Sequence, residues 1–312
     1  MPHSVRALVT GGSGFIGSNL VDALVARGDE VTVIDDLSTG RRENLRGALE
    51  AGAELLELDI RERDRLREAV ARVEPEVVFH LAAQIDVRKS IADPALDARI
   101  NVEGTINVLD AARRAGVRRL VNTSTGGAIY GEGRILPAPE EHTSAPEAPY
   151  GQSKLCAEGY CELFARLHGL STVSLRYGNV FGPRQDPLGE AGVIAIFCGK
   201  VLDGGSPTVY GDGLQTRDYV YVSDVVEANL VAADSSATGA FNIGTGVETS
   251  VLDLVSALGE QAAGRFEPEM APERPGEVRH IALDTTRVRG ELGWEPRVGL
   301  TEGLERTLAS LR

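Results

Sequence analysis

An α/β fold, built on a doubly wound parallel sheet with a smaller α/β lobe toward the C-terminus, is what the sequence predicts. Three observations carry that reading. Residues 5–17, VRALVTGGSGFIG, read as strand, tight glycine turn and helix. A second apolar segment, residues 30–35 (EVTVID), ends in the acid Asp35, 18 residues after Gly17. From there to about residue 178, strand-like and helix-like segments alternate, the order that produces parallel strands with helices on both faces.

The glycine turn is the first element. Gly11 lets the chain turn sharply, Gly14 lets a pyrophosphate approach the backbone, and Gly17 lets the helix pack close to the strand. The helix N-terminus then offers unpaired amides and a positive dipole end to phosphates. Glycine serves many strand-to-helix turns for geometry alone. Here Asp35 stands where a dinucleotide fold places the carboxylate that accepts from the adenosine ribose, so the pattern reads as dinucleotide binding.

The chain has 312 residues, 42% of them hydrophobic, enough for a large core and for one or two domains. With 32 basic against 46 acidic side chains the net charge is −14, which argues against nucleic acid or an anionic membrane as partner. An anionic ligand then needs a local group of arginines. No apolar run of about 18 residues and no basic, apolar leader occurs, so a cytoplasmic location is expected. Cys156, Cys161 and Cys198 are odd in number and read as buried free thiols. The five histidines form no metal-like group, and no metal is expected.

After a polar loop (37–45), a strand at 54–60, a helix at 62–73 and a strand at 76–82 follow. A helix from Ile100 to Gly116 is expected to bury Ile100, Val102, Ile106, Leu109 and Ala112. A strand at 118–125 leads into a Gly/Pro-rich loop, a helix at 150–168 and a strand at 171–178. Ligands sit at the carboxyl edge of such sheets, which places Asp59, residues 81–84 and Ser124-Thr125 on one crevice. The expected division is a cofactor domain at 1–182 and a smaller lobe at 183–312, with the chain returning to the large domain near 219–246. In that lobe, helices near 192–202, 224–234, 251–263 and 301–311 alternate with short strands.

Tyr150 and Lys154 are one helical turn apart, about 6 Å along the axis, and so share a face. A phenol is a poor base at neutral pH; a nearby ammonium and a cationic nicotinamide ring both favour phenolate. A Tyr-x-x-x-Lys spacing by itself suits an exposed tyrosine and a solvated lysine equally well. The ordered set of glycine turn, acid, Ser124-Thr125, Tyr150 and Lys154 is what makes it a candidate base, with a hydroxyl placed to bond the substrate oxygen.

Together, TGGSGFIG, STGGAIYG, PYGQSK and LRYGNVFGPRQDP resemble the extended short-chain dehydrogenase/reductase family in its nucleotide-sugar branch, and within it the smaller bacterial UDP-glucose 4-epimerases. The likeness continues through GEAGVIAIF, TVYGDGLQTRDYVYVSDV and ERPGEVRH, nearly the whole chain. It implies a Rossmann domain holding NAD and a lobe holding a UDP-sugar. Gly11, Gly14 and Gly17, with Phe15 and Ile16, would hold the pyrophosphate and Asp35 the ribose. Asp36, Ser38 and Gly40 would lie beside the adenosine, with Asp59 and Ile60 near the adenine. Leu81, Ala82, Ala83, Gln84, Asn101 and Tyr177 would flank the cofactor. Asp35 favours NAD over NADP, because a carboxylate repels a 2′-phosphate.

The resemblance makes Tyr150 the base, Lys154 its partner on the nicotinamide ribose, and Thr125 or Ser124 the hydroxyl at the reacting oxygen. Around the UDP-sugar it places Gln84, Thr125, Gly126, Tyr150, Asn179, Val193, Thr208, Tyr210, Arg217 and Arg274. Two arginines on separate loops suit a diphosphate through paired, charge-assisted bonds. The competing reading pairs each with a neighbouring acid, Asp218 or Glu277. Arg88 and Lys89 stand as rim candidates, and a homodimer through the helices starting near Ile100 and Tyr150 is implied.

Dehydratases of the family carry Asp-Glu after the hydroxyl residue, and UDP-glucuronate decarboxylases a glutamate in the same loop; this chain has Gly126-Gly127 there. A 4-epimerase needs no second acid or base, only room for a flat keto sugar to turn on its diphosphate, and Gly126, Gly127 and Ala128 are small. The expected activity is interconversion of UDP-glucose and UDP-galactose. The alternative is a UDP-glucuronate 4-epimerase, for which Arg184 is a candidate at the sugar carboxylate, and Ile281 is a candidate border of the hexose. A non-catalytic, NAD-bound scaffold would not require the intact Tyr150, Lys154 and hydroxyl set.

Overall fold

The structure, a computed structural model, describes residues 4–132, 135–187, 192–261, 267–273 and 278–312. Its first half alternates as the sequence predicts: β1 (Arg6–Thr10), α1 (Phe15–Arg27), β2 (Glu30–Asp35), α2 (Arg46–Glu50), β3 (Glu54–Glu57), α3 (Arg63–Val73) and β4 (Val77–His80). Then come α4 (Val87–Ala92), α5 (Pro94–Ala98), a π-helical turn (Arg99–Glu103), α6 (Gly104–Arg114), β5 (Arg119–Thr125), α7 (Gly126–Ile129), α8 (Pro149–His168) and β6 (Ser171–Tyr177). The remainder runs β7 (Asn179–Phe181), α9 (Val193–Leu202), β8 (Thr208–Tyr210), β9 (Thr216–Arg217), β10 (Tyr219–Tyr221), α10 (Val222–Asp234) and β11 (Gly239–Ile243). It ends with β12 (Thr249–Ser250), α11 (Val251–Gln261), β13 (Glu269–Ala271), α12 (Thr286–Leu292) and α13 (Leu300–Ser310).

Seven parallel strands form the central sheet in the order β11-β6-β5-β4-β1-β2-β3. The period of two along each strand divides its side chains between two cores. Ala7, Val9, Val31 and Val33 meet Leu20, Leu24 and the α10 residues Val225 and Ala228 on one face. Leu8, Ile34 and Val78 meet Leu66, Val70, Val108 and Leu109 from α3 and α6 on the other. Strands covered on both faces carry apolar runs without alternation, as Ala7, Leu8 and Val9 of β1 do. A third core, with Phe181, Ile194, Phe197, Leu254, Leu258, Leu304 and Leu308, joins α9, α11 and α13, and Phe15 and Ile16 pack against it.

Several elements differ from expectation. β3 ends at Glu57, because the Asp59 carboxylate accepts the Arg61 N–H and turns the chain. Residues 83–99, where the sequence pattern predicts no element, hold two short helices. Asp86 caps α4 through the N–H groups of Arg88 and Lys89, and Asp93 caps α5 through that of Leu96, with Pro94 at its first position. The helix expected from Ile100 begins as the π turn, and its buried face is Asn101, Gly104, Thr105, Asn107, Val108, Leu109, Ala111 and Ala112. Ile100, Val102 and Ile106 are half-buried. Ile60 lies over Gly104 so closely that a Cβ there would stand 2.5 Å from Ile60 Cδ1. Cys161 and Cys198 are buried free thiols, but Cys156 is half-buried. Among the described residues no helix is long and apolar enough to cross a membrane.

Candidate functional site

The strand order reverses between β1 and β4, and the crevice opens at their carboxyl ends. Gly11, with φ of 71°, follows β1, and a Cβ on it would stand 2.6 Å from the Ala82 nitrogen. At Gly17 a Cβ would fall 2.2 Å from Gly11 O. Gly14 meets only Gly11 O, at 3.3 Å, so its outer side is open. It caps α1 with no side-chain bond, which leaves the first-turn amides of Phe15, Ile16 and Gly17 without intrahelical acceptors. Such a cradle fits the pyrophosphate of a dinucleotide.

Asp35 ends β2 beside this turn and accepts from the N–H groups of Ser13 (2.8 Å) and Leu37 (2.9 Å). Burial nonetheless raises its pKa above the usual aspartate value. Gly40 closes over it, at a distance where a Cβ would stand 2.9 Å from Asp35 Oδ1. Asp36 is exposed and binds Ser38 through that residue's N–H and hydroxyl. Asp59 holds the Arg61 guanidinium, whose bonds lower its pKa, and Ile60 is buried beside it.

A buried polar chain sets the opposite wall. His80 Nδ1 lies 2.7 Å from Thr10 Oγ1, and Nε2 lies 3.0 Å from Thr105 Oγ1. The Thr105 hydroxyl donates to Asn101 O, so it accepts from Nε2–H; that pattern assigns the Nε2-protonated tautomer. Burial, with the Lys154 charge adding, pushes the His80 pKa down to about 3. Ala82 N–H donates to Thr10 Oγ1, and Leu81, Ala82 and Ala83 are half-buried along the wall. Asn101 bonds Gln84 at both N–H and C=O. The Gln84 side chain, expected at the substrate, binds internally instead: Nε2 donates to Asp86 O and Asp97 Oδ1, and Oε1 accepts from Asp86 N–H.

Pro149 at the first position of α8 starts the helix that carries Tyr150 and Lys154. Tyr150 is half-buried; burial pushes its pKa up to about 12, the Thr125 hydroxyl pulling it down and Asp97 pushing it up. Lys154 is buried, donates from Nζ to Thr123 O at 2.8 Å, and is brought down by burial to about 8. Strand alternation separates the two candidate hydroxyls. Thr125 lies beside the phenol, whereas Ser124 is buried with its Oγ lacking a hydrogen-bond partner among the described residues. The Tyr177 hydroxyl is buried, accepts from Asn229 Nδ2 at 2.7 Å and lies 3.2 Å from Thr123 Oγ1.

On the lobe side, Asn179 begins β7, with its Oδ1 buried and unpartnered among the described residues. Gly126 is backed by Leu283, which would stand 2.5 Å from a Cβ; Gly127 faces Asn179 and Thr125 at ordinary contact distance. Val193 opens α9, and Thr208 and Tyr210 bound β8, all half-buried. Arg217 on β9 donates from Nη1 to Thr216 O. The next residue, Asp218, is fully buried and accepts from Thr245 N–H and Oγ1, Gly246 N–H and Leu283 N–H, so it pins two loops beside Arg217. Arg274 and Glu277 lie outside the described residues. Arg184 pairs with Asp22, and Arg88 and Lys89 both lie 3.8 Å from Asp86. Ile281 is buried.

Sequence reasoning missed Asp97, Leu283, the Thr123 carbonyl and the role of Asp218. Only Asp97 had a local signal, since DPALD resembles a capped turn whose second acid faces inward. Among the described residues no group of three or more His, Cys, Asp or Glu side chains is placed to hold a metal.

Residues 7–244 match the model of the NAD dependent epimerase/dehydratase family. A UDP-glucose 4-epimerase of Mycolicibacterium smegmatis is 46% identical over 310 residues, covering 99% of both chains. The solved structure of a Thermotoga maritima UDP-glucose 4-epimerase with UDP-glucose superposes with a TM-score of 0.95 at 46% identity, covering 98% of each chain. That of a Thermus thermophilus UDP-glucose 4-epimerase with NAD gives 0.90 at 43% identity, covering 97% of this chain and 98% of that one. With the family model spanning the glycine turn, Asp35, Tyr150 and the returning strand β11, the chain belongs to the NAD dependent epimerase/dehydratase family.

Proposed function

We propose that the protein is an NAD-dependent UDP-sugar 4-epimerase that interconverts UDP-glucose and UDP-galactose. The observation that carries this reading is the grouping of Tyr150, Lys154 and Thr125 at the crevice beside the open Gly14 cradle. NAD, held by the Gly11, Gly14 and Gly17 turn and Asp35, would supply the hydride acceptor for sugar carbon 4. Tyr150 takes the proton of the carbon 4 hydroxyl and gives it back; Thr125 holds that oxygen, and Lys154 favours the phenolate. Burial holds the Tyr150 phenol up at about 12 and the Lys154 ammonium down at about 8, so a cationic group bound beside the phenol would be what favours phenolate.

Gly11, Gly14, Gly17 and Asp35 hold the cofactor within residues 1–182, with Asn101 and Tyr177 bracing its pocket. The lobe at 183–312 holds the UDP-sugar through Val193, Thr208, Tyr210, Arg217 and Arg274, with Asn179 of the cofactor domain facing it. The half-buried Ile100, Val102 and Ile106 suit a homodimer contact, and a cytoplasmic location suits this chemistry. Against the uronate alternative, Arg184 is engaged by Asp22 rather than offered to a sugar carboxylate. Rates on the UDP-glucose/UDP-galactose pair and on the two UDP-uronates test the choice; a strong preference for the uronates overturns it.

A further inference from the structure

Burial draws the Lys154 ammonium down to about 8, and three groups work against burial: Cys161, Glu158 and Asp97. Two of them carry no free charge. Cys161 is a buried thiol, pushed up to about 12 by burial and so uncharged at neutral pH. Glu158 is gripped by the Arg176 guanidinium, whose Nη2 and Nε donate to its carboxylate at 2.7 and 3.0 Å, so its charge is matched. Asp97 is different. It lies on α5, which packs on α8, is 1% exposed, and accepts at Oδ1 from the neutral amides of Gln84 and Asn101, both at 3.0 Å. Its Oδ2 is buried with no hydrogen-bond partner among the described residues, and none of their cations pairs with it. The other charged or titratable groups on elements packed against α8 are neutral, paired or at the surface. His80 of β4 is held near 3, Asp110 of α6 is held by Arg67, Arg113 and Arg114, and Arg88, Lys89, Arg99 and Glu103 are exposed. A buried carboxylate without a cation is costly, and Lys154 is the cation within its electrostatic reach.

We propose that Asp97 is a positioning residue of this site, the counter-charge of the buried Lys154 ammonium, which by the same charge opposes ionisation of the Tyr150 phenol. This rests on the proposed roles of Tyr150 and Lys154. Removing the charge moves both groups the same way. The ammonium loses a stabilising neighbour and the phenolate a destabilising one, so each gives up its proton at lower pH. Loss of a residue that only packs would move neither titration.

The test compares wild type, Asp97→Asn and Asp97→Glu. Asparagine keeps a carbonyl oxygen for the Gln84 and Asn101 amides and removes the charge; glutamate keeps the charge. The lysines of the chain are Lys89, Lys154 and Lys200, of which only Lys154 is buried, so isotope-labelled lysine gives Lys154 its own titration by NMR, read without turnover. Asp97→Asn is expected to lower the Lys154 midpoint by about one pH unit, the scale on which one neighbouring charge acts. Both limbs of its profile of turnover against pH are expected to move to lower pH. Asp97→Glu is expected to hold the Lys154 midpoint nearer that of wild type, even where turnover falls. Equal Lys154 midpoints in wild type and Asp97→Asn overturn the inference. So do limbs that stay in place while the rate falls, which would assign Asp97 to packing, and so does failure of Asp97→Asn to fold. Absence of turnover of UDP-galactose by the wild type would instead remove the epimerase reading, and the Lys154 titration would still decide the role of Asp97 as counter-charge.

Discussion

The Lys154 ammonium donates to the Thr123 carbonyl at 2.8 Å and so ties the helix that carries Tyr150 to the strand that carries Thr125. Two residues on, that strand presents its hydroxyl to the phenol. Tyr150 and Thr125 are thus fixed relative to each other by one bond between two secondary-structure elements.

Thr125 and Ser124 are separated by this geometry. Thr125→Val is expected to lower turnover roughly 100-fold, the scale of a lost positioning bond at the reacting oxygen. Ser124→Ala removes a buried hydroxyl that has no hydrogen-bond partner among the described residues, and is expected to keep turnover within about threefold with stability unchanged or higher. Steady-state rates and denaturant unfolding of the two variants check both; equal losses of turnover would contradict the assignment.

Tyr150→Phe removes the proposed proton acceptor and little volume. Turnover is expected to fall by roughly 1,000-fold or more. NAD binding, followed by calorimetry, is expected to persist, because the glycine cradle and Asp35 are untouched. Residual activity near the wild-type rate would remove Tyr150 from its role.

Arg119 is expected to be the costliest polar substitution of the fold. Its guanidinium is buried at the foot of β5 and donates to Ala232 O, Ala237 O, Ser171 Oγ and Ser235 Oγ, closing the C-terminal end of α10. Burial draws its pKa down to about 10, which still leaves it charged at neutral pH. Arg119→Met orphans these acceptors and is expected to destabilise by about 3 kcal/mol in urea unfolding.

His80 gives a pH signature. Its folded pKa, near 3, is below the unfolded value of 6.5, so below pH 6.5 the unfolded chain binds a proton that the folded one refuses. Stability is therefore lost as pH falls from 6.5 toward 3, by roughly 2 kcal/mol between pH 6.5 and 5. His80→Gln is expected to remove that share of the acid sensitivity; identical slopes of stability against pH in the two proteins would contradict it.

What the sequence made legible was local. The glycine turn, Asp35 and the Tyr150/Lys154 pair follow from spacing within single elements, and the alternation of strand and helix predicts the parallel sheet. What escaped depends on distant partners. Gly126 and Gly127 look alike until Leu283 arrives against one of them. Gln84 reads as a ligand until Asp86 and Asp97 take its amide. Asp218, which the sequence offers only as a competing partner for Arg217, holds the loops at 245–246 and 283. The hydrophobic pattern of 100–116 misled because the inward positions Asn101 and Thr105 are polar, chosen by the His80 chain rather than by the core.

The most direct measurement incubates the purified protein with UDP-galactose, with and without added NAD, and follows the anomeric protons by NMR. UDP-glucose is expected to appear, and the two sugars to reach a fixed ratio from either direction. UDP-galactose left unchanged, even with NAD added, would contradict it.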